Sequence, residues 1–267
     1  MIISRFAVNT HLQEKHTIVL ASDLHNQNVD KVITAIKPLH PTFIAIPGDL
    51  LYAGVQGHGI YDHVPSSGQH LRNERNAQSF LREAVKIAPV IFSTGNHELY
   101  LDDEDRELLS DIGVTFLDDS YQRFGDLVFG GLSSPYKIFA GKGVSHSKAE
   151  HKRRWEMVFE NVNTGWLDEF ERQEGYNILL CHHPEFYVPF LKDREGIDLI
   201  LSGHAHGGQI RLFGRGLYAY GQGWLPKYTK GIYDGKLIVS AGLANTARVP
   251  RIGNPKELVC IHLLDMS

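Results

Sequence analysis

The chain has 267 residues, 42% hydrophobic and 22% charged, with a formal net charge of −4. That is the balance of a soluble folded protein long enough to bury most of its apolar surface. The mild acidity argues against a basic nucleic-acid-binding face, no run of about 18 apolar residues offers a membrane span, and two cysteines, Cys181 and Cys260, are too few for a disulfide framework. Fifteen histidines, by contrast, are a rich supply of imidazole and point toward metal.

Residues 1–8 are too short and too interrupted for a secretory signal, so a cytoplasmic protein is expected. Residues 16–21 form a β-rich apolar run that breaks into Asp23 and His25. Helical spacing of Val29, Val32, Ile33 and Ile36 predicts a helix over residues 28–39. A second strand over residues 42–46 runs into Gly48 and Asp49. Strand, polar loop, helix, strand, polar loop is the start of an α/β fold, whose chemistry sits at the carboxyl ends of its strands.

Residues 52–70 lack periodicity and read as a long loop over the site, with His58, His63 and His70 as solvated loop residues. A helix over residues 72–87 follows, then a strand over residues 89–93 ending in Gly95, Asn96, His97 and Glu98. Acidic residues 102–107 suit the positive end of a further helix. Residues 114–117 and 127–132 read as strands of a second sheet. A basic segment, residues 139–154, precedes one helix running through Phe170, with Trp155, Phe159 and Trp166 on its core side. Residues 177–181 form a buried strand ending in His182, His183 and Pro184, with Cys181 a core residue. Residues 197–202 form another, ending in Gly203, His204, Ala205 and His206. Residues 210–213, 237–240 and 258–264 read as the last strands. With no repeat and no linker, residues 1–267 are expected to make one domain.

Five strand ends therefore present Asp23 and His25, Asp49, Asn96 and His97, His182 or His183, and His204 with His206. Two imidazoles one residue apart, flanked by glycines, can converge only where the backbone turns sharply. An oxygen-and-imidazole set without thiolate suits Mn, Fe, Zn or Ni. Seven ligands are too many for one ion and suit two divalent ions about 3.5–4 Å apart, the arrangement that serves phosphoryl displacement.

These motifs, in this order and each after a strand, resemble the calcineurin-like metallophosphoesterases over roughly residues 17–264. The resemblance implies a four-layer α/β/β/α sandwich of two mixed sheets flanked by helices. It implies that Asp23, His25 and His206 bind one metal, that Asn96, His182 and His204 bind the other, and that Asp49 bridges them. A metal-bridging hydroxide would be the nucleophile, with His97 contacting the phosphate and helping to protonate the leaving oxygen. The family pattern prefers His182 over His183 as ligand and leaves His183 as a pocket residue; Arg248 and Arg251 could grip a phosphate bidentately. Gly207, Gly208 and Gln209 after the histidine pair, with the tail around residues 251–258, resemble a bacterial subgroup of stand-alone phosphohydrolases. Some of its members act on lipid-linked or nucleotide-sugar phosphoesters, which implies a small-molecule phosphoester substrate with transient membrane or lipid contact. The chain departs from that subgroup in its N-terminus and in having Asn245 where a glycine-rich turn is expected. The expected activity is that of a dinuclear, Mn-type phosphodiesterase. The rival readings are a metal-binding scaffold without turnover and a nuclease.

Overall fold

The computed structural model describes residues 1–52, 70–136, 148–245 and 249–265. Residues 53–69 and 137–147 lie outside the described residues, so most of the expected loop over the site and the start of the basic segment do too, as do His58, His63 and Arg248.

Two six-stranded sheets form the centre. The first runs in the order β1 (Ile2–Thr10), β16 (Glu257–Asp265), β2 (His16–Leu20), β3 (Phe43–Ile46), β4 (Val90–Ser93), β5 (Val114–Leu117). The second runs β14 (Gly231–Tyr233), β15 (Leu237–Val239), β9 (Leu199–Ser202), β8 (Tyr176–Cys181), β7 (Leu127–Leu132), β6 (Ser120–Phe124). Both are mixed: β2 to β5 are parallel while β16 is antiparallel to β2, and β7, β8, β9 and β15 are parallel between antiparallel edges.

Strand periodicity explains the layers. In β2, Ile18 and Leu20 face the second sheet while Val19 faces the helices; in β8, Ile178 and Leu180 face the first sheet while Leu179 and Cys181 face outward. Both faces of each sheet are therefore apolar, and these central strands read as continuous hydrophobic runs. Helices α1 (Asp30–Ile36), α2 (Arg75–Ala84) and α3 (Asp103–Ile112) cover the first sheet; α4 (Lys148–Glu160) and α5 (Leu167–Phe170) cover the second. The result is the expected four-layer α/β/β/α sandwich. Helix α3 starts where its acidic cluster suggests, with the Asp102 carboxylate accepting from the Asp105 N–H at 3.1 Å.

Three expectations need correction. Residues 114–117 belong to the first sheet, not the second: β5 pairs in parallel with β4, and Phe116 packs on Phe92 at 5.4 Å between ring centres. The helix through Phe170 breaks after Glu160, where Asn161, Asn163 and Gly165 favour a turn, and resumes at Leu167. The opening residues, for which no element is predicted, form β1, an edge strand beside β16. His70 is no solvated loop residue; its Nδ1 lies 2.9 Å from Asp105 and 3.2 Å from Asp102, in a cluster that Arg72 joins. Trp155, Phe159 and Trp166 pack, as expected, against the second sheet's outer core.

Four short strands make two hairpins between β9 and β14: β10 (Arg211–Leu212) with β11 (Arg215–Gly216), and β12 (Tyr218–Ala219) with β13 (Gly223–Trp224).

Candidate metal centre

The carboxyl ends of β2, β3, β4, β8 and β9 meet at one pole of the sandwich and bring the expected residues together. Asp23, His25, Asp49 and His206 place one ligand atom each within 4.8 Å of one another, and so do Asp49, His182 and His204. Asp49 alone belongs to both groups, the position expected of a bridging ligand. Asn96 joins the second group, its Oδ1 3.1 Å from His182 Nε2. His97 Nε2 lies 3.8 Å from Asp49 Oδ2, and its ring centre 4.4 Å from that of His25.

The local backbone explains how short loops achieve this. Asp23, His25, Asp49, His204 and His206 all have φ between +44° and +65°. Asp and His tolerate this left-handed region better than most residues, and it reverses the chain within one residue. The motif glycines serve close approach. A β-carbon on Gly95 would strike the Asp49 carboxylate, and one on Gly203 would strike Ser22 and Asp23.

Hydrogen bonds from outside the expected set hold the loops in register. The Glu98 carboxylate accepts from the N–H groups of Asp49 (2.9 Å), Leu51 (2.9 Å) and Gly95 (2.6 Å), tying the end of β3 to that of β4. Asp23 accepts from Ser22 Oγ at 2.6 Å and from the His204 N–H at 3.1 Å, tying β2 to β9. Asn254 Nδ2 donates to the carbonyls of His206 and Gln209 at 2.7 and 3.1 Å. The roles of Ser22 and Asn254 carry no local sequence signal; that of Glu98 is legible only as part of its motif.

The site's electrostatics favour a cation. His182 Nδ1 lies 3.0 Å from the Pro47 carbonyl, which can only accept, so Nδ1 carries the proton. Its Nε2 then faces two further acceptors, Asp49 Oδ2 at 3.2 Å and Asn96 Oδ1 at 3.1 Å. Such a nitrogen needs a second proton or a metal ion, and a backbone carbonyl on the remote nitrogen is the usual support of a metal-bound histidine. Burial alone would push His182 down, but Asp49 beside it outweighs that and raises it to about 9. Burial holds His25 and His204 well below the ordinary histidine value, and His97 and His206 below it. Asp49 stays ionised: the histidines around it overcome the cost of burial and keep it well below the usual carboxylate range. Burial and then the Asp49 charge push Glu98 up to about 7. Both ring nitrogens of His25 and the Nε2 of His204 are buried without a hydrogen-bond partner. Orphaned imidazole nitrogens beside two aspartates fit divalent ions that prefer nitrogen and oxygen.

All five motifs fall inside residues 16–208, the span matched by the family model of the calcineurin-like phosphoesterases. The chain belongs to this family. Calcineurin-like phosphoesterases normally use a dinuclear divalent centre, and membership together with the two ligand groups supports a metal-dependent phosphoesterase. Among curated relatives, the uncharacterised Bacillus subtilis protein YpbG is 28% identical over 92% of this chain and 80% of its own length. An uncharacterised metallophosphoesterase of Campylobacter jejuni, Cj0846, is 27% identical over 92% of this chain and 57% of its own length, so the chain spans little more than half of that relative. Among solved structures, a dimetal phosphatase from Danio rerio is 12% identical, with a TM-score of 0.44 over 85% of this chain and 87% of that one.

Of the other expected site residues, His183 is buried beside the metal-ligand candidates, its Nε2 2.8 Å from Ser134 Oγ and its Nδ1 3.3 Å from Glu185. It also forms a separate ligand group with Glu185 and His204. Arg251 Nη2 lies 3.0 Å from His206 Nδ1, while its Nε and Nη1 are buried and unpartnered. Asn245, where a glycine-rich turn was expected, accepts from Gln209 Nε2 at 2.8 Å and so fastens the loop that follows the histidine pair.

Proposed function

We propose that the chain is a dinuclear metal-dependent phosphodiesterase. Asp23, His25 and His206 would hold one ion, Asn96, His182 and His204 the other, and Asp49 both; the observation that carries this is the membership of Asp49 in both ligand groups. Two divalent ions in such a site supply a more acidic water and neutralise phosphoryl oxygens. The chain's own groups supply the rest. Arg251, held by its Nη2 against His206 Nδ1, places a positive charge beside the centre that would attract a phosphoryl group. His97, placed 3.8 Å from Asp49, would donate a ring N–H hydrogen bond to the leaving oxygen, and in its imidazolium form would pass that proton on as charge develops there. The buried loops around it exclude bulk water, which strengthens each of these interactions.

Diester preference is supported by charge. Among the described residues, Arg251 is the cation that reaches a metal-ligand candidate, set against the carboxylates of Asp23 and Asp49. A singly charged diester asks for less counter-charge than a doubly charged monoester. Four imidazoles and three oxygen ligands suit Mn, Fe, Zn or Ni, and two buried, unpaired cysteines accord with a reducing, cytoplasmic setting. The test is hydrolysis of bis-aryl phosphate against aryl phosphate, after chelation and reloading with Mn²⁺, Fe²⁺, Zn²⁺ or Ni²⁺. The diester should turn over faster with Mn²⁺. Faster monoester turnover would remove the diester assignment, and no turnover with any metal would favour a silent scaffold.

A further inference from the structure

The two hairpins after the His204–His206 loop turn apolar side chains outward. Phe213, at the tip of the first, stands clear of its neighbours at 104% relative exposure; Trp224 and Leu225 on the second are 78% and 71% exposed. Leu212, Tyr218 and Ile252 widen the same region. Backbone hydrogen bonds make it one unit: Leu217 donates to the carbonyls of Gly208 and Ile210, Leu225 donates to Leu217, and Arg211 donates to Ile252. Arg211 Nη1 donates to the Gly207 carbonyl at 2.8 Å and to Thr229 Oγ1 at 3.0 Å, fastening the unit to the loop that carries His206.

Two independent features mark this exposure as built. Phe213 and Leu225 both sit at φ +51°, a left-handed conformation that Gly or Asn would adopt with less strain and better solubility. The charge is also one-sided. No acidic residue occurs between Asp198 and Asp234, an interval that holds Arg211, Arg215, Lys227 and Lys230, in a chain of net charge −4; of the four, Lys230 pairs with Glu257 at 2.8 Å. Arg215 and Lys227 are exposed. An acidic protein thus presents one apolar region edged with positive charge, next to its metal centre.

The shape selects the occupant. Protruding hairpin tips need a deep complementary pocket in a protein partner but sink readily into a soft surface. Nucleic acid would stack on flat rings and leave the aliphatic Leu212 and Leu225 unused. A bilayer takes aliphatic tips among its acyl chains, Trp and Tyr at headgroup depth, and Arg and Lys against anionic headgroups. We propose that the hairpins dock the chain on an anionic phospholipid membrane. The docking stands on the surface alone and does not depend on the phosphoesterase reading above.

The experiment is co-sedimentation of the full chain with phosphatidylcholine vesicles, with and without phosphatidylglycerol. Binding is expected on the phosphatidylglycerol vesicles and should weaken on the order of tenfold in Phe213→Ser with Leu225→Ser, in Arg215→Glu with Lys227→Glu, and in high salt. Both double variants should melt like wild type and hydrolyse a soluble aryl phosphodiester at the wild-type rate. No binding to either vesicle, equal binding by the variants, or a wild-type dimer that the variants split would each overturn the docking. Binding is read without turnover, so a chain that sediments with vesicles yet hydrolyses nothing keeps the docking and loses only the phosphoesterase reading.

Discussion

The metal-centre loops and the two hairpins solve opposite problems with one backbone device. At the centre, Asp23, His25, Asp49, His204 and His206 adopt left-handed φ and turn polar side chains inward, where all but His206 are almost fully buried. On the hairpins, Phe213 and Leu225 adopt the same conformation and turn apolar side chains outward. Each inverts the usual partition of polar and apolar groups, and each holds backbone strain that packing alone does not require. At these two places we read the strain as marking where the chain meets something outside itself. Inside, that is metal and a phosphoryl group; outside, on the proposal above, a membrane.

The comparison breaks first, and most severely, at Asp49. Asp49→Ala removes the group shared by both ligand sets, and aryl phosphodiester hydrolysis should fall by about a thousandfold or more. Glu98→Gln keeps the side chain's shape but leaves one good acceptor for three backbone N–H groups. Activity or metal affinity should drop by roughly 10–100-fold, the scale for losing a group that orients ligands, and a chelator titration would separate the two. Arg251→Lys keeps the charge but loses the planar guanidinium that rests on His206 Nδ1 and the Ala244 carbonyl; KM should rise by about tenfold with a smaller change in kcat.

The pH dependence of the metal-free chain reports on the buried histidines of the centre. His25, His97, His183, His204 and His206 are held below the ordinary histidine value, burial being the first cause in each. An unfolded chain takes up protons at these positions below about pH 6.5 and the folded chain resists, so their contribution is present above that value and lost as pH falls. His182 is raised to about 9, so its contribution is full below about 6.5 and lost as pH rises through 9. Five groups against one make the acid side steeper. With a chelator present, the urea midpoint should be lower at about pH 5.5 than at about pH 7.5; an equal midpoint would contradict the buried, neutral histidines. The smallest effect lies on the hairpins. Phe213→Gly should raise stability by about 1 kcal/mol by relieving left-handed strain, and leave hydrolysis of a soluble diester unchanged.

Much of the inner region is legible in the sequence because each motif residue follows an apolar run that can only be a buried strand. The ends of β2, β3, β4, β8 and β9 could be read that way, and Gly95 and Gly203 flag the close approaches. What stayed hidden depends on partners distant in the chain. Nothing local says that residues 114–117 join β4 rather than the second sheet, that residues 2–10 pair with the far end of the chain, or that His70 meets Asp105. The break after Glu160 was signalled by Asn161, Asn163 and Gly165, but the apolar spacing on either side reads as one helix. Asn254 supports His206 across 48 residues, and no spacing rule reaches that far.

The central claim is two metal ions sharing Asp49, and the most direct measurement is elemental analysis of the purified chain beside Asp49→Ala, each assayed for Mn²⁺-dependent bis-aryl phosphate hydrolysis. About two ions per wild-type chain, with fewer ions and no measurable turnover in a folded Asp49→Ala, is the expected result. One ion or none in the wild type after Mn²⁺ loading, or an unchanged metal content in Asp49→Ala, would contradict it.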